Sequence, residues 1–557
     1  ATLRGHFVRL GGCGFVAAGA FGTMRGVMVP VFFAQLAFIL PTTGAESGQS
    51  AFVHLFEWSW KDIAQECEDW LGPKGYRGVQ VSPVTEHIKG LQWWTRYQPV
   101  TYNLTSRSGT PEEFAEMVKR CAAVNVEIIV DVVLNHVAGG SGVGIAGSTY
   151  GYRTTAIYSQ EDFHHSPGNL GTNCGVSNFQ DKYNVQYCDL EGLPDICTAC
   201  PRVKTIIGDF LKSLVQMGVS GFRIDAGKHM DAGELKELLK DVDAKLIFIE
   251  VVEGYKEAVQ PEMYYSIDIG KVTEFRYGSQ LGPNILAEGK LKYLETFGEN
   301  WGFMPNNSAV VFIDNHDTQR SNPDTLTFKN GALYTLANVF MLAHPYGYPK
   351  VMSSYNFDAS DQGPPDAPVH SAGSLGCFNG AWVCEHRYPE IANMIDWRRN
   401  AGSDPTLQVF QSSEDGNGAF FCRGSSACVA LNRGDSSWNT TVKTTVSPGE
   451  YLNVMCRTTT CRNVMVDTDG SAYITVPSVG AVAFHHGSLV PVETTVAPPV
   501  VVGRRPKLLI FHVMFLSMIV VLILVLLVLA TRAFFRHRRV TVRVIESRQR
   551  SPGDTLL

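Results

Sequence analysis

The chain has 557 residues, a formal net charge of −6, 45% hydrophobic residues and 18% charged residues. This composition is that of a globular protein with room for two or three domains, and it excludes disorder throughout the chain. Because the sequence has no surplus of basic residues, we expect no nucleic-acid partner.

An apolar segment near the start predicts secretion. Met24 and Arg25 lead into apolar residues 27–40, and small residues follow up to Ala45. This order of charged, apolar and small residues is typical of a secretory signal peptide, and about 14 apolar residues are too few to span a membrane comfortably. Because residue 1 is Ala, we interpret Met24 as the translation start. Residues 1–45 are therefore assigned to an upstream segment and a signal peptide.

Short apolar strands then alternate with longer helical patterns. The predicted strands are 51–57, 78–81, 126–134, 221–224, 246–250, 272–275, 309–313 and a short one near 342–343. The predicted helices are 62–70, 113–124, 201–217, 232–240 and 333–341. Repeated β-α units with continuous apolar strands indicate a parallel sheet covered by helices. About eight strands fit a (β/α)8 TIM barrel. The alternative is a doubly wound open sheet, whose Gly-rich fingerprint is missing after the first strand.

Two stretches interrupt this alternation. Residues 138–200 are rich in Gly, Ser, Tyr and Asn, and we interpret them as a subdomain inserted after the third strand. The insertion divides the barrel into residues 46–137 and 201–402. Recurring alternation over residues 403–487 predicts a C-terminal all-β sandwich. Residues 488–507 are rich in Val, Pro and Thr and predict a stalk.

A second apolar segment predicts a membrane anchor. Residues 508–530 contain no Lys, Arg, Asp or Glu. At about 1.5 Å per residue they are long enough to cross a bilayer of about 30 Å. Four arginines between 532 and 539 place the tail, residues 531–557, in the cytosol. We expect a single-pass type I membrane protein with an extracellular or lumenal catalytic part, open to release by proteolysis. A lipid-anchor signal is the alternative, although its apolar tail is normally terminal.

Twelve of the 13 cysteines lie between Cys67 and Cys461. Close pairs are 174 and 188, 197 and 200, 377 and 384, 422 and 428, and 456 and 461. An oxidising compartment would convert such pairs into disulfides. The alternative is a zinc site at Cys197 and Cys200, but no second C-x-x-C or spaced His pair completes a tetrahedral set.

Polar residues cluster where the predicted strands end. They are Asp131, Asn135 and His136 after the third strand, Arg223, Asp225 and Lys228 after the fourth, Glu250 after the fifth, and Asp314 to Asp317 after the seventh. Barrel enzymes carry their catalytic groups at these ends. Three carboxylates, Asp225, Glu250 and Asp317, form the set that glycosidic cleavage requires. For each position alone, a helix cap or a hydrogen-bonded histidine is the alternative.

Several longer motifs resemble animal α-amylases. They are FVHLFEW (52–58), GVQVSP (78–83), WWTRYQPV (93–100), GFRIDA (221–226), WGFMP (301–305), DNHD (314–317) and MLAHPYG (341–347). The resemblance runs from about residue 50 to 486, with the motifs in the family's order. It implies retaining endo-hydrolysis of α-1,4-glucosidic bonds in starch, glycogen and maltooligosaccharides.

The resemblance also implies residue roles. Asp225 matches the nucleophile, Glu250 the acid/base, and Asp317 the carboxylate that holds the sugar hydroxyls. The residues that match substrate contacts are Trp93, Trp94, Tyr97, His136, Lys228 and His316. A single structural calcium ion is implied, with Asn135 and Asp195 as side-chain ligands and Gln186 and His229 ligating through other groups or carbonyls. Chloride is implied at Arg223, Asn315 and Lys350. Lysine at the last position, where the family commonly has Arg, keeps the charge but loses the bidentate fork.

Four disulfides carry over from the family: Cys67–Cys121, Cys174–Cys188, Cys377–Cys384 and Cys456–Cys461. The pairs Cys197–Cys200 and Cys422–Cys428 are additional, and Thr105 stands where a cysteine is usual. Residues 318–323 lack the Gly-rich mobile loop of vertebrate members, so we expect a more open cleft. Glycosylation sequons begin at Asn103, Asn306 and Asn439.

Two other functions compete with endo-hydrolysis. The first is an inactive membrane protein that uses an amylase-like ectodomain for binding. Such relatives lack the carboxylate set and place their helix before the barrel. The second is an exo-glucosidase or transglycosylase, because loops around the cleft set that choice. We expect a monomeric enzyme whose partners are an α-glucan and, through one helix, a membrane.

Overall fold

The structure is a computed structural model that describes residues 50–322, 324–371, 374–378, 380–456 and 462–491. The predicted signal peptide, the stalk beyond residue 491, the predicted membrane helix 508–530 and Cys461 lie outside these ranges. Within them, no helix combines the length and the apolar character needed to cross a membrane.

Eight parallel strands close into a barrel, as the repeated β-α pattern predicts. In chain order they are β1 (Phe52–Leu55), β2 (Gly78–Val81), β3 (Glu127–Val132), β4 (Gly221–Ile224), β5 (Leu246–Ile249), β6 (Lys271–Thr273), β7 (Ala309–Val311) and β8 (Tyr348–Ser353). Each strand pairs in parallel with its neighbours in sequence, and β8 pairs with β1 to close the barrel. All their carboxyl ends therefore meet at one face, where a TIM-barrel active site lies.

Helices cover this sheet and fill its connections. They are α1 (Trp60–Glu66), α2 (Gly72–Lys74), α3 (Pro111–Ala123), α4 (Lys182–Tyr187), α5 (Pro201–Gln216), α6 (Ala232–Leu239), α7 (Glu262–Tyr265), α8 (Phe275–Leu286), α9 (Thr318–Ser321), α10 (Ala332–Ala343) and α11 (Pro389–Ala401). The start of α3 shows why the sequence folds locally as it does. Thr110 and Glu113 form a reciprocal capping box, and Pro111 occupies the first turn.

The prediction of the eighth strand near residues 342–343 is wrong. Leu342 and Ala343 end helix α10, and the strand begins five residues later, at Tyr348. Nearly every residue of α10 from Leu336 onward is buried, so its sequence is apolar on all sides. An apolar run of that kind does not distinguish a buried helix from a buried strand.

The stretch between β3 and α5 contains little regular structure. Gly142–Val143 pairs with Thr149–Tyr150, and α4 is its only α-helix among the described residues. Two disulfides, Cys174–Cys188 and Cys197–Cys200, cross-link it. The second is the C-x-x-C for which zinc was the alternative, so the disulfide prediction is confirmed there.

The C-terminal part is all β, as predicted. Its strands are β9 (Leu407–Ser412), β10 (Gly418–Arg423), β11 (Ala427–Asn432), β12 (Trp438–Lys443), β13 (Gly449–Tyr451), β14 (Val464–Val466), β15 (Ser471–Val476) and β16 (Gly480–His485). They form two four-stranded antiparallel sheets that share a buried apolar cluster. Trp397 of α11 donates its indole N–H to the carbonyls of Cys428 and Phe484, which attaches the first sheet to the barrel.

Three further predicted disulfides are present. Cys67–Cys121 joins the segment after α1 to α3, Cys377–Cys384 closes a loop after β8, and Cys422–Cys428 bridges β10 and β11. The Cys456–Cys461 pairing involves a residue outside the described ranges and stays a prediction.

A buried carboxylate ties the start of the barrel to its end. Glu66 in α1 is fully buried and accepts hydrogen bonds from His370, His386 and Arg387. Burial alone would raise the pKa of Glu66, but these three donors outweigh it and hold the pKa well below its usual range. The ion cluster therefore contributes stability above the ordinary glutamate pKa, and this stability is lost as pH falls through the folded-state value.

We expect Glu66→Gln to lower the free energy of unfolding by about 3–5 kcal/mol, because it leaves buried cationic donors without a counter-charge. Chemical denaturation at neutral pH measures this. Glu68→Gln is the matched control, because Glu68 pairs with Arg120 at the surface and such pairs contribute at most about 1 kcal/mol. Equal losses in the two variants would contradict the account.

Candidate active site

Arg223 organises the carboxyl end of the barrel. The side chain lies on β4 and is almost fully buried. Its Nη1 donates to Asp131 Oδ1 at 2.7 Å and to Asp225 Oδ1 at 2.7 Å, while Nη2 pairs with Glu250 Oε1. One planar guanidinium fork thus holds carboxylates from the ends of β3, β4 and β5 side by side.

The turn after β4 positions Glu250. Ala226 has φ 49° and ψ 31°, in the left-handed region that non-glycine residues rarely occupy. Its backbone N–H donates to Glu250 Oε2 at 3.1 Å. Such backbone strain is found at functional sites, where the surrounding structure over-determines it. Here it aims a donor at the second oxygen of the carboxylate that Arg223 already holds.

Asp317 lies beside this group and is more open. Its side chain is 42% exposed, and Oδ2 lies 3.3 Å from Nε2 of the buried His316. A cavity of about 490 Å³ is lined by both Glu250 and Asp317, with Phe275 and Phe312 also in its wall. The two carboxylates therefore face a common space large enough for a ligand group.

Burial and crowding change the acidity of the group. Burial raises the pKa of Asp225 well above its usual range, and the Arg223 charge opposes this. Desolvation, followed by the charge of Glu250, raises the pKa of Asp317 to about 7. Like-charged carboxyls so close together titrate as a unit, which favours partial protonation of the cluster over full ionisation. It can thus present an ionised and a protonated carboxyl together, which acid-assisted nucleophilic cleavage needs.

Aromatic rings form one wall of the cleft. Tyr97 stacks on His316 with ring centres 5.1 Å apart, and Trp93 meets the same imidazole edge-on at 5.3 Å. Trp94 follows Trp93 in a 3-10 helix, Trp93–Tyr97, and is partly exposed. The structure thus brings Trp93 and Tyr97, predicted as substrate contacts, to the histidine beside Asp317.

The other predicted substrate residues are held by the protein itself. His136 Nε2 lies 2.9 Å from the Tyr97 carbonyl oxygen, and burial lowers the pKa of His136 to about 4, so its ring is neutral. Lys228 Nζ donates to the Val252 carbonyl at 2.8 Å and pairs with Glu257. Lys228 follows β4, but its ammonium group contacts the loop after β5, and its role stays a prediction.

The predicted calcium residues converge next to the cleft. One side-chain amide atom of Asn135 lies 2.9 Å from the His229 carbonyl oxygen and 3.3 Å from Asp195 Oδ1. If this atom is the amide nitrogen, it donates to both oxygens. If it is the amide oxygen, three oxygens converge on a position where a cation would bind. Gln186 lies in the same region, because Val185 accepts from His229 Nδ1 at 2.9 Å. No cluster of three or more His, Cys, Asp or Glu that fits a metal occurs in the described ranges.

The predicted chloride residues also surround the carboxylate group. Lys350 of β8 is buried, and its pKa falls to about 8 because of burial and the Arg223 charge. Among the described residues, Lys350 takes part in no ion pair, and its Nζ lies 4.6 Å from the Phe312 ring centre. Asn315 Oδ1 accepts from the Asp317 backbone N–H at 3.0 Å. The positive charges of Arg223 and Lys350 repel each other, so a small anion in contact with both would stabilise the pair.

Sequence reasoning did not assign two residues that the structure places here. Asp131 is the second carboxylate on Arg223 Nη1, and it also accepts from the Tyr97 hydroxyl at 3.0 Å. Its signal was an acid within the apolar run 128–133. Arg320 donates to the His316 carbonyl at 2.6 Å and lies 4.1 Å from the Phe357 ring centre. No motif marked it, because the aromatic rings around its guanidinium come from loops distant in sequence.

Comparison with known proteins agrees with the barrel and the C-terminal all-β part. The model for the α-amylase catalytic domain matches residues 69–247, and that for the α-amylase C-terminal all-β domain matches residues 411–487. An α-amylase-related protein of Drosophila willistoni is 38% identical over 473 residues, covering 78% of this chain and 94% of that protein. A Streptomyces violaceus α-amylase is 41% identical over 435 residues, covering 77% and 73%.

Solved structures show the same relationship. The crystal structure of α-amylase I from Eisenia fetida has a TM-score of 0.73 and 34% identity, and covers 79% of this chain and 98% of that one. A mutant of that enzyme, solved in complex with maltohexaose, matches equally well. From this level of identity and coverage, together with the carboxylate site at the end of the barrel, this chain belongs to the α-amylase family of glycoside hydrolases.

Proposed function

We propose that this glycoside hydrolase cleaves internal α-1,4-glucosidic bonds of starch, glycogen and maltooligosaccharides with retention of configuration. The observation that carries the proposal is the Arg223 fork, which holds Asp225 and Glu250 on adjacent nitrogens. Retaining enzymes need such closely spaced carboxyls, whereas inverting enzymes need a wider gap to admit water. Maltohexaose in the Eisenia fetida relative supports the substrate class.

In the proposed reaction, Glu250 and Asp225 each act in both steps, formation and hydrolysis of a glycosyl ester. Glu250 donates a proton to the glycosidic oxygen as Asp225 attacks the anomeric carbon, so the leaving chain departs with its new hydroxyl and a glycosyl ester forms on Asp225. Glu250 then takes a proton from water, which displaces Asp225 and releases the sugar. Asp317 holds the sugar hydroxyls, and its exposure to the cleft suits that role.

The rings around the site would bind the glucan. Trp93, Trp94 and Tyr97 offer apolar faces to the sugar rings, His316 and His136 offer polar contacts, and Lys228 lies toward the leaving-chain side. Because His136 Nε2 already contacts the Tyr97 carbonyl, a sugar hydroxyl would share or replace that bond. Fixed aromatic platforms of this kind bind ligand with little loss of conformational entropy.

Hydrolysis of soluble starch by the full chain tests this function, with viscosity and reducing ends measured over time. An endo-enzyme lowers viscosity early, while few reducing ends have formed. An exo-enzyme gives the reverse, with glucose or maltose from the start. A β-1,4-linked glucan is the control substrate, and we expect no products from it. If the folded protein does not hydrolyse starch, the binding-protein alternative remains.

We propose one structural calcium ion, bound by Asn135 and Asp195 and by oxygens of Gln186 and His229. The convergence of three oxygen positions around the Asn135 amide fits a hard cation, which calcium sites satisfy with carboxylate, amide and carbonyl ligands. Burial raises the pKa of Asp195 to about 7, a cost that a bound cation would offset. The ion would fasten the segment 138–200 to the barrel.

We expect a calcium chelator to lower the thermal unfolding midpoint by about 5 °C or more, because a ligand that binds only the folded state stabilises it. Asp195→Asn should bind calcium at least about tenfold more weakly, since it removes the only predicted charged ligand. Glu191→Gln, an exposed change in the same segment, is the control. An unchanged midpoint with chelator would rule out the ion.

We propose that chloride binds between Arg223, Lys350 and Asn315, more weakly than in relatives with arginine in place of Lys350. An anion there would favour the protonated forms of the neighbouring carboxyls. We expect chloride to raise activity and to shift its decline at alkaline pH upward. Lys350→Arg should lower the chloride concentration needed by about tenfold, because it restores a bidentate donor. Activity indifferent to chloride in both proteins would contradict this proposal.

We propose that the protein is secreted into an extracellular or lumenal space and anchored there by residues 508–530. Five disulfides in the described part of the chain support an oxidising compartment. Membrane fractionation of cells that make the full chain tests the anchor, and glycosidase treatment tests the sequons at Asn103, Asn306 and Asn439. Full extraction by salt alone would contradict a spanning helix. We expect size-exclusion chromatography to show a monomer.

A further inference from the structure

A second cavity opens at the opposite end of the barrel from the carboxylate site. It has a volume of about 530 Å³ and lies where the strands begin. Arg77 precedes β2, Lys245 precedes β5, and Lys271 begins β6. Arg398 of α11 and Arg423 at the end of β10 complete its basic lining. Nothing in the proposed hydrolysis uses this end of the molecule.

The charge of this cavity is strongly unbalanced. Five cationic side chains line it, and Glu127 is its one carboxylate. Glu127 is already paired with two of these cations, because it accepts hydrogen bonds from Arg77 Nη2 at 2.6 Å and from Lys245 Nζ at 2.9 Å. Within the described ranges, Lys271, Arg398 and Arg423 form no salt bridge, and Asp404 is the one carboxylate whose charge acts on Arg423. A basic pocket is unusual in a chain whose net charge is −6.

The two arginines are buried and only partly satisfied. Arg423 donates from Nη2 to the Gly402 carbonyl at 2.7 Å, but its Nε and Nη1 have no partner among the described residues. Arg398 donates from Nη1 to the Leu342 and His344 carbonyls, and its Nε likewise has none. Both side chains are 3% exposed.

A purely structural role explains part of this arrangement. Arg398 contacts carbonyls at the C-terminal end of α10, where the helix dipole favours a cation. That role does not need Arg423 beside it. Burial and, second, the positive charge of Arg423 lower the pKa of Arg398 to about 9. Placing these two arginines side by side is therefore unfavourable. Buried guanidinium N–H groups without acceptors are also costly, so the geometry calls for an anion.

We propose that this cavity is a binding site for a tetrahedral oxyanion, a phosphate or sulfate group, held by Arg398, Arg423 and Lys271. Arginine forks bind such groups through paired charge-assisted hydrogen bonds, and a lysine adds a point charge. Lys271 Nζ now donates to the Asn307 carbonyl at the cavity wall and can turn to the anion. The cavity exceeds the size of one phosphate, so a free ion and a sugar phosphate ester share the required chemistry.

Calorimetric titration of the full chain with inorganic phosphate, and separately with sulfate, tests the site. Sodium chloride holds the ionic strength constant, so that general screening cancels. We expect saturable binding of one equivalent and a rise in the thermal unfolding midpoint with anion concentration. Absence of saturable binding of both anions would overturn the proposal.

Variants locate the binding. Lys271→Gln and Arg423→Gln should each weaken phosphate binding by about tenfold or more, because each removes a charged donor. Lys240→Gln, an exposed residue paired with Glu237, is the control. Lys271 is only half-buried, so Lys271→Gln decides the matter if Arg423→Gln fails to fold. Phosphate affinity equal to the parent's in Lys271→Gln would overturn the proposed site.

A third titration distinguishes the two sources of the anion. Glucose 6-phosphate that binds more tightly than inorganic phosphate, with the same sensitivity to Lys271→Gln, would identify a sugar phosphate ester as the ligand. Tighter binding of inorganic phosphate would identify the free ion. Neither result depends on starch hydrolysis, so failure of the proposed function and failure of this site can be told apart.

Discussion

Asp225→Asn is expected to reduce starch hydrolysis by at least about 10⁴-fold, because it removes the atom that attacks the anomeric carbon. The amide keeps the shape of the carboxylate and can still contact Arg223, so the fold should persist. Initial rates on starch and on a maltooligosaccharide measure the effect, and circular dichroism checks folding.

Asp209→Asn is the matched control for this variant. Asp209 is an exposed residue of α5 and does not line the cavity beside Glu250 and Asp317. Its rates should equal those of the parent. Residual activity of a few per cent in Asp225→Asn, after contaminating parent enzyme is excluded, would show that Asp225 is not the nucleophile.

Arg223→Gln is expected to remove activity and to lower the free energy of unfolding by about 3–5 kcal/mol at neutral pH, because it leaves buried carboxylates unpaired. Asp131, Asp225 and Glu250 all contact this one guanidinium. Burial raises the folded-state pKa of both Asp131 and Asp225, and loss of the Arg223 charge would favour their protonated forms further. The lost stability should therefore be partly recovered as pH falls.

Denaturant titrations of parent and variant at neutral and mildly acidic pH measure this difference. Arg399→Gln serves as the control, because Arg399 is half exposed and only approaches Asp396 at 3.9 Å. A variant as stable as the parent at neutral pH would mean that the carboxylates do not depend on Arg223. A loss that grows toward acidic pH would also contradict the account.

Most of the barrel could be predicted from sequence because its strands are short, apolar and well separated. The strand that begins at Gly221 was placed correctly, since Gly and Ser precede it and a polar turn follows. The eighth strand was not, because α10 is buried on nearly all sides and its end at Leu342 has the composition of a strand. Periodicity carries no information where both faces of an element are apolar.

The candidate site was predictable in its members but not in its connections. Asp225, Glu250 and Asp317 follow from the ends of three strands and from the family motifs. That Arg223 would join Asp131, Asp225 and Glu250 through one side chain depends on the pairing of β3, β4 and β5, which brings Asp131 into contact with Arg223 although the two are 92 residues apart. Sequence spacing does not reveal such long-range convergence.

Covalent trapping of the glycosyl-enzyme identifies the nucleophile directly. The full chain is incubated with a fluorinated α-glucosyl fluoride that forms the ester quickly and hydrolyses slowly, and the labelled peptide is sequenced by mass spectrometry. We expect one glucosyl label, on Asp225, and an α-anomeric first product from maltooligosaccharides. A β-anomeric product with no label, or a label on Glu250 or Asp317 instead, would contradict it.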